Sequence, residues 1–286
     1  TFDLRMSTEA TGLAHDAAGR INGVKLADGG FIEARLVIAA DGRRSVLRDA
    51  ADLPLQDLGA PMDVLWFRLQ VPSGQAQGEV PLGNITPDGM VIAIPRGNYW
   101  QCARIIEKGA FSKMEAHGIA AFRDEITRIA PGLGGGVDAL QSFDDIKLLS
   151  VTLDRLTRWS CPGLLAIGDA AHAMSPVGGV GINLAVQDAV AAANVLAKPL
   201  AEGVNPDPLL PRVQARRWSA TRRMQMIQRT AHERVIAPML RGELRSAPVA
   251  IRLLDKCPSL RRIPGRVIGL GFGRQHVQSP LAKEFQ

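Results

Sequence analysis

Residues 161–189 read CPGLLAIGDAAHAMSPVGGVGINLAVQDA, and this stretch decides the fold. The apolar run Leu164-Leu165-Ala166-Ile167 predicts a short strand buried on both faces. Gly168-Asp169 breaks the run, and Pro176, Gly178, Gly179 and Gly181 then make a loop open to backbone angles that other residues avoid. An Ala-rich segment containing Ile182 and Asn183 resumes with helical character. The order is strand, acidic turn, glycine loop, helix. Each part suits a large polar ligand. Asp169 at the strand end can accept hydrogen bonds from hydroxyls, and glycines let a planar ring approach the backbone. The helix N-terminus offers free N–H groups and about half a positive charge.

Residues 36–48, LVIAADGRRSVLR, carry a second version of this pattern. An apolar strand ends at a tight Asp41-Gly42 turn, and Ser45 is placed to cap a helix whose first turns hold Arg48.

GDAAHAMSPVGGVGINLAVQDA resembles the second flavin-binding motif of the FAD-dependent aromatic hydroxylases, the group A flavoprotein monooxygenases similar to p-hydroxybenzoate hydroxylase. LVIAADGRRSVLR resembles the other internal motif of that family, associated with both FAD and NAD(P)H. The resemblance implies that Asp169, with Gly168 and Ala170, holds the ribityl chain. It implies that Pro176, Gly178, Gly179, Gly181, Ile182 and Asn183 line the isoalloxazine ring near N1 and the C2 carbonyl. It also implies cofactor contacts from Asp41, Gly42, Arg43, Ser45 and Arg48. Arg43 and Arg44 read either as arginines of an exposed turn, the commoner case, or as contacts to a cofactor phosphate.

The implied fold is α/β with α+β character: a partial Rossmann-like FAD-binding domain, an antiparallel-sheet substrate domain and C-terminal helices. The boundaries expected are 1–58 and 151–200 for the FAD-binding domain, 59–150 for the substrate domain and 201–286 for a helical region. The family's first βαβ unit with Gly-x-Gly-x-x-Gly has no counterpart here. The run Gly269-Leu-Gly271-Phe-Gly273 ends in Arg274 and leaves too little chain for a crossover. The expectation is a C-terminal portion of a longer protein, short by on the order of a hundred residues.

Along the chain, Phe2, Leu4 and Met6 alternate, as do Val24 and Leu26, and Asp28-Gly29-Gly30 turns into Phe31-Ile32; this predicts a small antiparallel unit. Residues 64–71, 90–95 and 99–106 predict an antiparallel sheet, with turns at 87–89 and 96–98. Ser112 and Glu115 fit a capping box for a helix carrying Ile119, Phe122, Ile126 and Ile129 on one face and ending at Pro131-Gly132. Residues 146–151 are expected to lead back to the first domain. Pro199, Pro206, Pro208 and Pro211 predict a linker. Val213, Ala220, Met224, Ile227, Ala231 and Val235 then trace one face of a helix ending near Pro238, packed on the flavin domain or on a second subunit.

The chain of 286 residues, 46% hydrophobic and 22% charged, is long enough for a sizeable core. Its apolar runs are short and interrupted, which argues against a membrane-spanning helix, and no secretory pattern opens it; the expectation is cytoplasmic. Cys102, Cys161 and Cys257 stand far apart without a CxxC pair, so neither a disulfide framework nor a metal site is expected. The net charge of +6 comes from arginines among apolar helical positions without a nucleic-acid motif, and reads as a solvated helix face. The resemblance implies an FAD-dependent monooxygenase that uses NADH or NADPH and O₂ to hydroxylate a small aromatic substrate, with a homodimer as one assembly. A flavin-dependent reductase or dehydrogenase, or a non-catalytic remnant unable to hold FAD alone, are the alternatives. No catalytic acid or base stands out. Tyr99 and His117 lack a partner at a telling spacing, Trp66 and Trp100 read as packing, and His172 and His232 need no catalytic role.

Overall fold

In a computed structural model, residues 2–71, 82–243 and 262–278 are described. They divide into two compact units: one within Thr1–Gly59, Thr152–Gln228 and Pro258–Gln286, the other within Ala60–Val151 and Arg229–Cys257.

The first unit starts with an antiparallel meander of β1 (Ala10–His15), β2 (Ile21–Leu26) and β3 (Phe31–Glu33). Its second turn is the one predicted: Asp28 Oδ1 accepts the Gly30 N–H at 2.8 Å, and Leu26 N–H reaches Gly30 O at 2.9 Å. The alternation of Phe2, Leu4 and Met6 does not produce a strand, and Phe2 is 87% exposed. A period of two makes a strand only where a neighbour pairs with it, and no described strand pairs with these residues. β4 (Val37–Ala39), α1 (Val46–Ala50) and β5 (Leu55–Asp57) follow.

The second unit is a five-stranded antiparallel sheet. Its strands are β6 (Met62–Gln70), β7 (Leu82–Thr86), β8 (Gly89–Pro95), β9 (Tyr99–Glu107) and β10 (Lys147–Leu149), in the order β10-β6-β9-β8-β7. β10 corrects the expectation for residues 146–151: Leu148 pairs with Leu65, so this segment closes the second unit's sheet. The predicted capping box does not form. α2 (Phe111–Ala116) starts one residue earlier, after Ala110, which makes no side-chain cap, and so encloses Ser112. At Gly118 the backbone turns left-handed (φ 84°) and a separate helix, α3 (Gly118–Ile129), begins. α3 buries Phe122, Ile126 and Ile129 as its periodicity predicts, in one core with Leu65, Phe67 and Leu69 of β6. The Phe67 and Phe122 rings meet edge to face at 5.4 Å, and each buried aromatic contributes roughly 1.5–3 kcal/mol.

Back in the first unit come β11 (Asp154–Leu156), β12 (Ser160–Cys161), β13 (Leu164–Ala166), α4 (Gly181–Ala201) and α5 (Leu210–Ala231). β13 runs parallel to β4, pairing Leu164 with Val37 and Ala166 with Ala39, while β12 flanks its other side. All three β13 residues are buried, as an uninterrupted apolar run requires. They share a core with Val37 and Ala39, Ala191, Ala192 and Leu196 of α4, and Leu210 and Val213 of α5.

Pro199 lies inside α4 rather than in a linker. Pro211 falls in the first turn of α5, where a missing N–H costs nothing. The helix does not stop at Pro238 either. A π-turn at His232–Ile236 follows α5, and α6 (Ala237–Leu240) takes Pro238 in its first turn. The helix spanning Val177–Ala201 is long and apolar enough to cross a membrane by length and composition alone. It buries Leu184, Asp188, Ala191, Ala192 and Leu196 in the fold. α7 (Arg262–Leu270) ends at Gly271, so the Gly269–Gly273 run is a helix terminus. Cys102 and Cys161 are free thiols; Cys257 lies outside the described residues.

Candidate functional site

The carboxyl ends of the parallel neighbours β4 and β13 carry Asp41 and Asp169. Ile167 N–H donates to Ala39 O at 3.0 Å and holds the two strand ends together. In open α/β sheets, ligands bind outside the carboxyl ends of the strands.

At the β4 end, the Asp41 carboxylate organises the loop. It accepts Ser45 Oγ–H at 2.5 Å and the Leu47 N–H at 3.2 Å. Ser45 caps α1 as its sequence predicts, accepting the Arg48 N–H at 3.0 Å. Arg48 is buried and turns back, with Nη1 on Arg43 O at 3.1 Å and Nε on Asp49. Ser45 and Arg48 therefore shape the loop from inside. Gly42 takes φ 87° and presents Arg43 outward, while Arg44 is exposed.

Arg43 crosses to the second motif. Its Nε lies 3.1 Å from Asp169 Oδ2, and both side chains keep about 30% of their surface open. Asp169 sits in a single 3₁₀ turn, Gly168–Ala170, directly after β13, with Gly168 and Ala170 buried on either side.

The glycine loop runs from Pro176 into α4. Gly178 (φ 83°) and Gly179 (φ 64°) are both left-handed, which explains two consecutive glycines, and a Cβ on Gly179 would meet open space. A Cβ on Gly181 would come 3.8 Å from Asp169 Oδ1, so the start of α4 adjoins the acidic turn. No side chain caps that helix start. Ile182 is 78% exposed, and Asn183 Nδ2 reaches Gly269 O at 3.4 Å.

Two features went unread in the sequence. Asp154 on β11 is buried and accepts the Ala173 N–H at 3.1 Å; burial pushes its carboxyl above the usual range, against that bond and the Arg48 charge. Beneath the acidic turn, Asp188 of α4 accepts the Gly168 N–H at 3.1 Å, His172 Nε2 at 2.6 Å and Arg217 Nε at 2.8 Å. All three side chains are buried. Burial raises the Asp188 carboxyl, but His172 and Arg217 outweigh it and hold the group below the ordinary range.

The candidates in the second unit fall to packing. Trp100 is buried in the core, Trp66 is half-buried, and the Arg68 guanidinium lies 5.0 Å over the Tyr99 ring. His117 Nδ1 pairs with Lys113 O at the end of α2. Among the described residues, no three His, Cys, Asp or Glu gather as metal ligands.

Strand-end carboxylates, a left-handed glycine loop and an uncapped helix start define the first unit as a nucleotide-cofactor domain of α/β type. Family comparison specifies which: the FAD binding domain model matches residues 1–228, and the chain belongs to that family. It is 32% identical over 291 residues to 6-methylpretetramide 4-monooxygenase of Streptomyces rimosus, covering 99% of this chain and 68% of that protein. With 3-demethoxyubiquinol 3-hydroxylase of Escherichia coli (strain K12) it shares 28% identity over 199 residues, 68% of this chain and 49% of that one. The chain thus spans about half to just over two-thirds of the length of these relatives. Pseudomonas aeruginosa PqsL, solved in complex with 2-aminobenzoylacetate, has the same fold: TM-score 0.65 and 21% identity over 84% of this chain and 66% of PqsL.

The residues fit FAD on their own evidence. Arg43 Nη1 is buried and has no hydrogen-bond partner among the described residues, although it stands beside the half-open Asp169 carboxylate. The open space over Gly179 and the uncapped start of α4 leave the backbone accessible to an anionic ring.

Proposed function

We propose that the chain is the catalytic portion of an FAD-dependent monooxygenase that uses NADH or NADPH and O₂ to hydroxylate a small aromatic molecule. The observation that carries this reading is the Arg43–Asp169 pair, which joins the two family motifs at one point beside the start of α4. Bound FAD would accept hydride from the nicotinamide and, once reduced, activate oxygen.

The protein's part is to bind and orient. Asp169 accepts ribityl hydroxyls, and the unpartnered Arg43 Nη1 donates to a ligand oxygen. Gly178, Gly179 and Gly181 bring backbone to the ring, and the α4 N-terminus favours its anionic reduced form. The names of both relatives, a monooxygenase and a hydroxylase, support oxygen insertion over simple dehydrogenation. The same reading places the enzyme in the cytoplasm. A homodimer belongs to the same reading, with Ile227 of the α5 stripe 42% exposed.

The test is NAD(P)H oxidation with a panel of phenolic substrates under ¹⁸O₂, using the polypeptide as its gene encodes it. One ¹⁸O atom in the product is expected. Substrate-stimulated NAD(P)H oxidation that leaves no ¹⁸O in any product would favour the dehydrogenase reading instead.

A further inference from the structure

Asp169 can serve a cofactor only if its turn is held still, and the turn holds few bonds of its own. Its backbone bonds run from Ala171 N–H and His172 N–H to Gly168 O, at 2.9 and 2.8 Å. Leu156 N–H of β11 donates to Ala171 O at 2.7 Å, and the side chain that ties both ends of the turn to the rest of the unit is Asp188. One carboxylate oxygen, Oδ2, takes the Gly168 N–H at the start of the turn and the His172 ring at its end. A carboxylate only accepts, so His172 Nε2 carries the hydrogen. Oδ1 takes Arg217 Nε from α5, and Arg217 Nη1 continues to Gly273 O at 2.9 Å. Gly168 is left-handed at φ 59°, a conformation glycine takes without strain, so the bonds to Asp188 rather than the local backbone select it. The Trp159 ring packs beside His172, with centroids 5.0 Å apart.

We propose that Asp188 is a positioning residue for the cofactor site: it clamps both ends of the 168–172 turn and so aims the Asp169 carboxylate, with Arg217 neutralising its charge from α5. Asp188 touches no ligand itself. The inference rests on the reading of Asp169 as a flavin ligand. It also accounts for a fully buried carboxylate–guanidinium pair directly beneath a half-open carboxylate.

A double-mutant cycle with two readouts tests it, in the polypeptide as its gene encodes it. The chains are wild type, D188N, D169A and D169A/D188N, with D188L/R217M as a further variant that strands neither a buried carboxylate nor a buried guanidinium. Backbone amide exchange across residues 168–172 should rise at least about tenfold in D188N and D188L/R217M, with exchange in β6 and β9 unchanged. FAD binding, followed by quenching of flavin fluorescence, should weaken at least about tenfold while Asp169 is present, and less than about twofold in the D169A background. A merely structural role would weaken binding equally in both backgrounds, and that result, or unchanged exchange, overturns the proposal. If wild type takes up no FAD, the flavin reading fails, and the exchange rates alone then decide whether Asp188 holds the turn.

Discussion

Arg43 Nε donates to Asp169 Oδ2 at 3.1 Å across 126 residues of sequence, from the loop after one strand to the turn after its parallel neighbour. A part-exposed pair of this kind is worth at most about 1 kcal/mol to the fold. Its consequence lies in what the pair leaves over, namely the buried, unpartnered Arg43 Nη1 and the part-exposed Asp169 carboxylate. Arg43→Ala should therefore move the thermal midpoint little while weakening FAD binding severalfold. Arg43→Lys, which keeps the charge but loses the planar fork, should recover only part of the affinity. Parallel melting curves and flavin titrations check both.

Gly163 is the position where a single methyl group should cost most. Its φ is 85°, and a Cβ there would lie 1.9 Å from Ile21 O. Gly163 also donates to Asp207 Oδ1 at 3.0 Å and accepts from Val37 N–H at 2.9 Å, so the backbone cannot withdraw without breaking the entry to β13. Gly163→Ala should lower stability by roughly 2–4 kcal/mol, read as a shift of the urea midpoint with an unchanged slope. A midpoint within about 0.5 kcal/mol of wild type would contradict the geometry.

Burial pushes the Cys102 thiol up to about 12 and encloses it in the second unit's core. At pH 8 it is protonated and inaccessible. Peptide-mapped alkylation of the native protein should leave Cys102 unlabelled, with full labelling after denaturation.

Acid should weaken the fold in two stages. Burial holds His232 below its ordinary 6.5 against the attraction of Glu233, so the unfolded chain binds this proton more readily than the folded one. Its contribution is complete above pH 6.5 and is lost as pH falls below that value. The carboxyl of Asp188, held below its ordinary 3.8, contributes above that value and is lost as pH falls through its folded value. Stability measured against pH should decline in both windows, and His232→Gln should flatten only the upper one.

The motif strands were legible because both signals are local. Short apolar runs cut by Asp-Gly or Gly-Asp announce buried strands and turns, and consecutive glycines announce left-handed backbone at 178–179. The Asp188 cluster was not, since it joins residues 16 and 29 apart that meet only when the 168–172 turn and α5 pack against α4. A signal did exist: Asp188 is the lone acidic residue in α4, and Arg217 falls among Val213, Ala220 and Met224 on the apolar stripe of α5. A charge on each apolar face points to a partner on the other. The capping box at Ser112 failed for the opposite reason, because its four-residue pattern says nothing of where the chain leaving β9 starts to coil.

The central claim is that the two motifs converge on one flavin site with Asp169 at its centre. The most direct measurement is a flavin titration of the polypeptide as its gene encodes it, beside its Asp169→Ala variant, followed by visible absorbance and fluorescence quenching. The account predicts a yellow wild-type protein with one FAD per chain, and a variant whose affinity falls at least about tenfold with its thermal midpoint little changed. Equal affinity in the two, or a wild-type protein that holds no flavin, would contradict it.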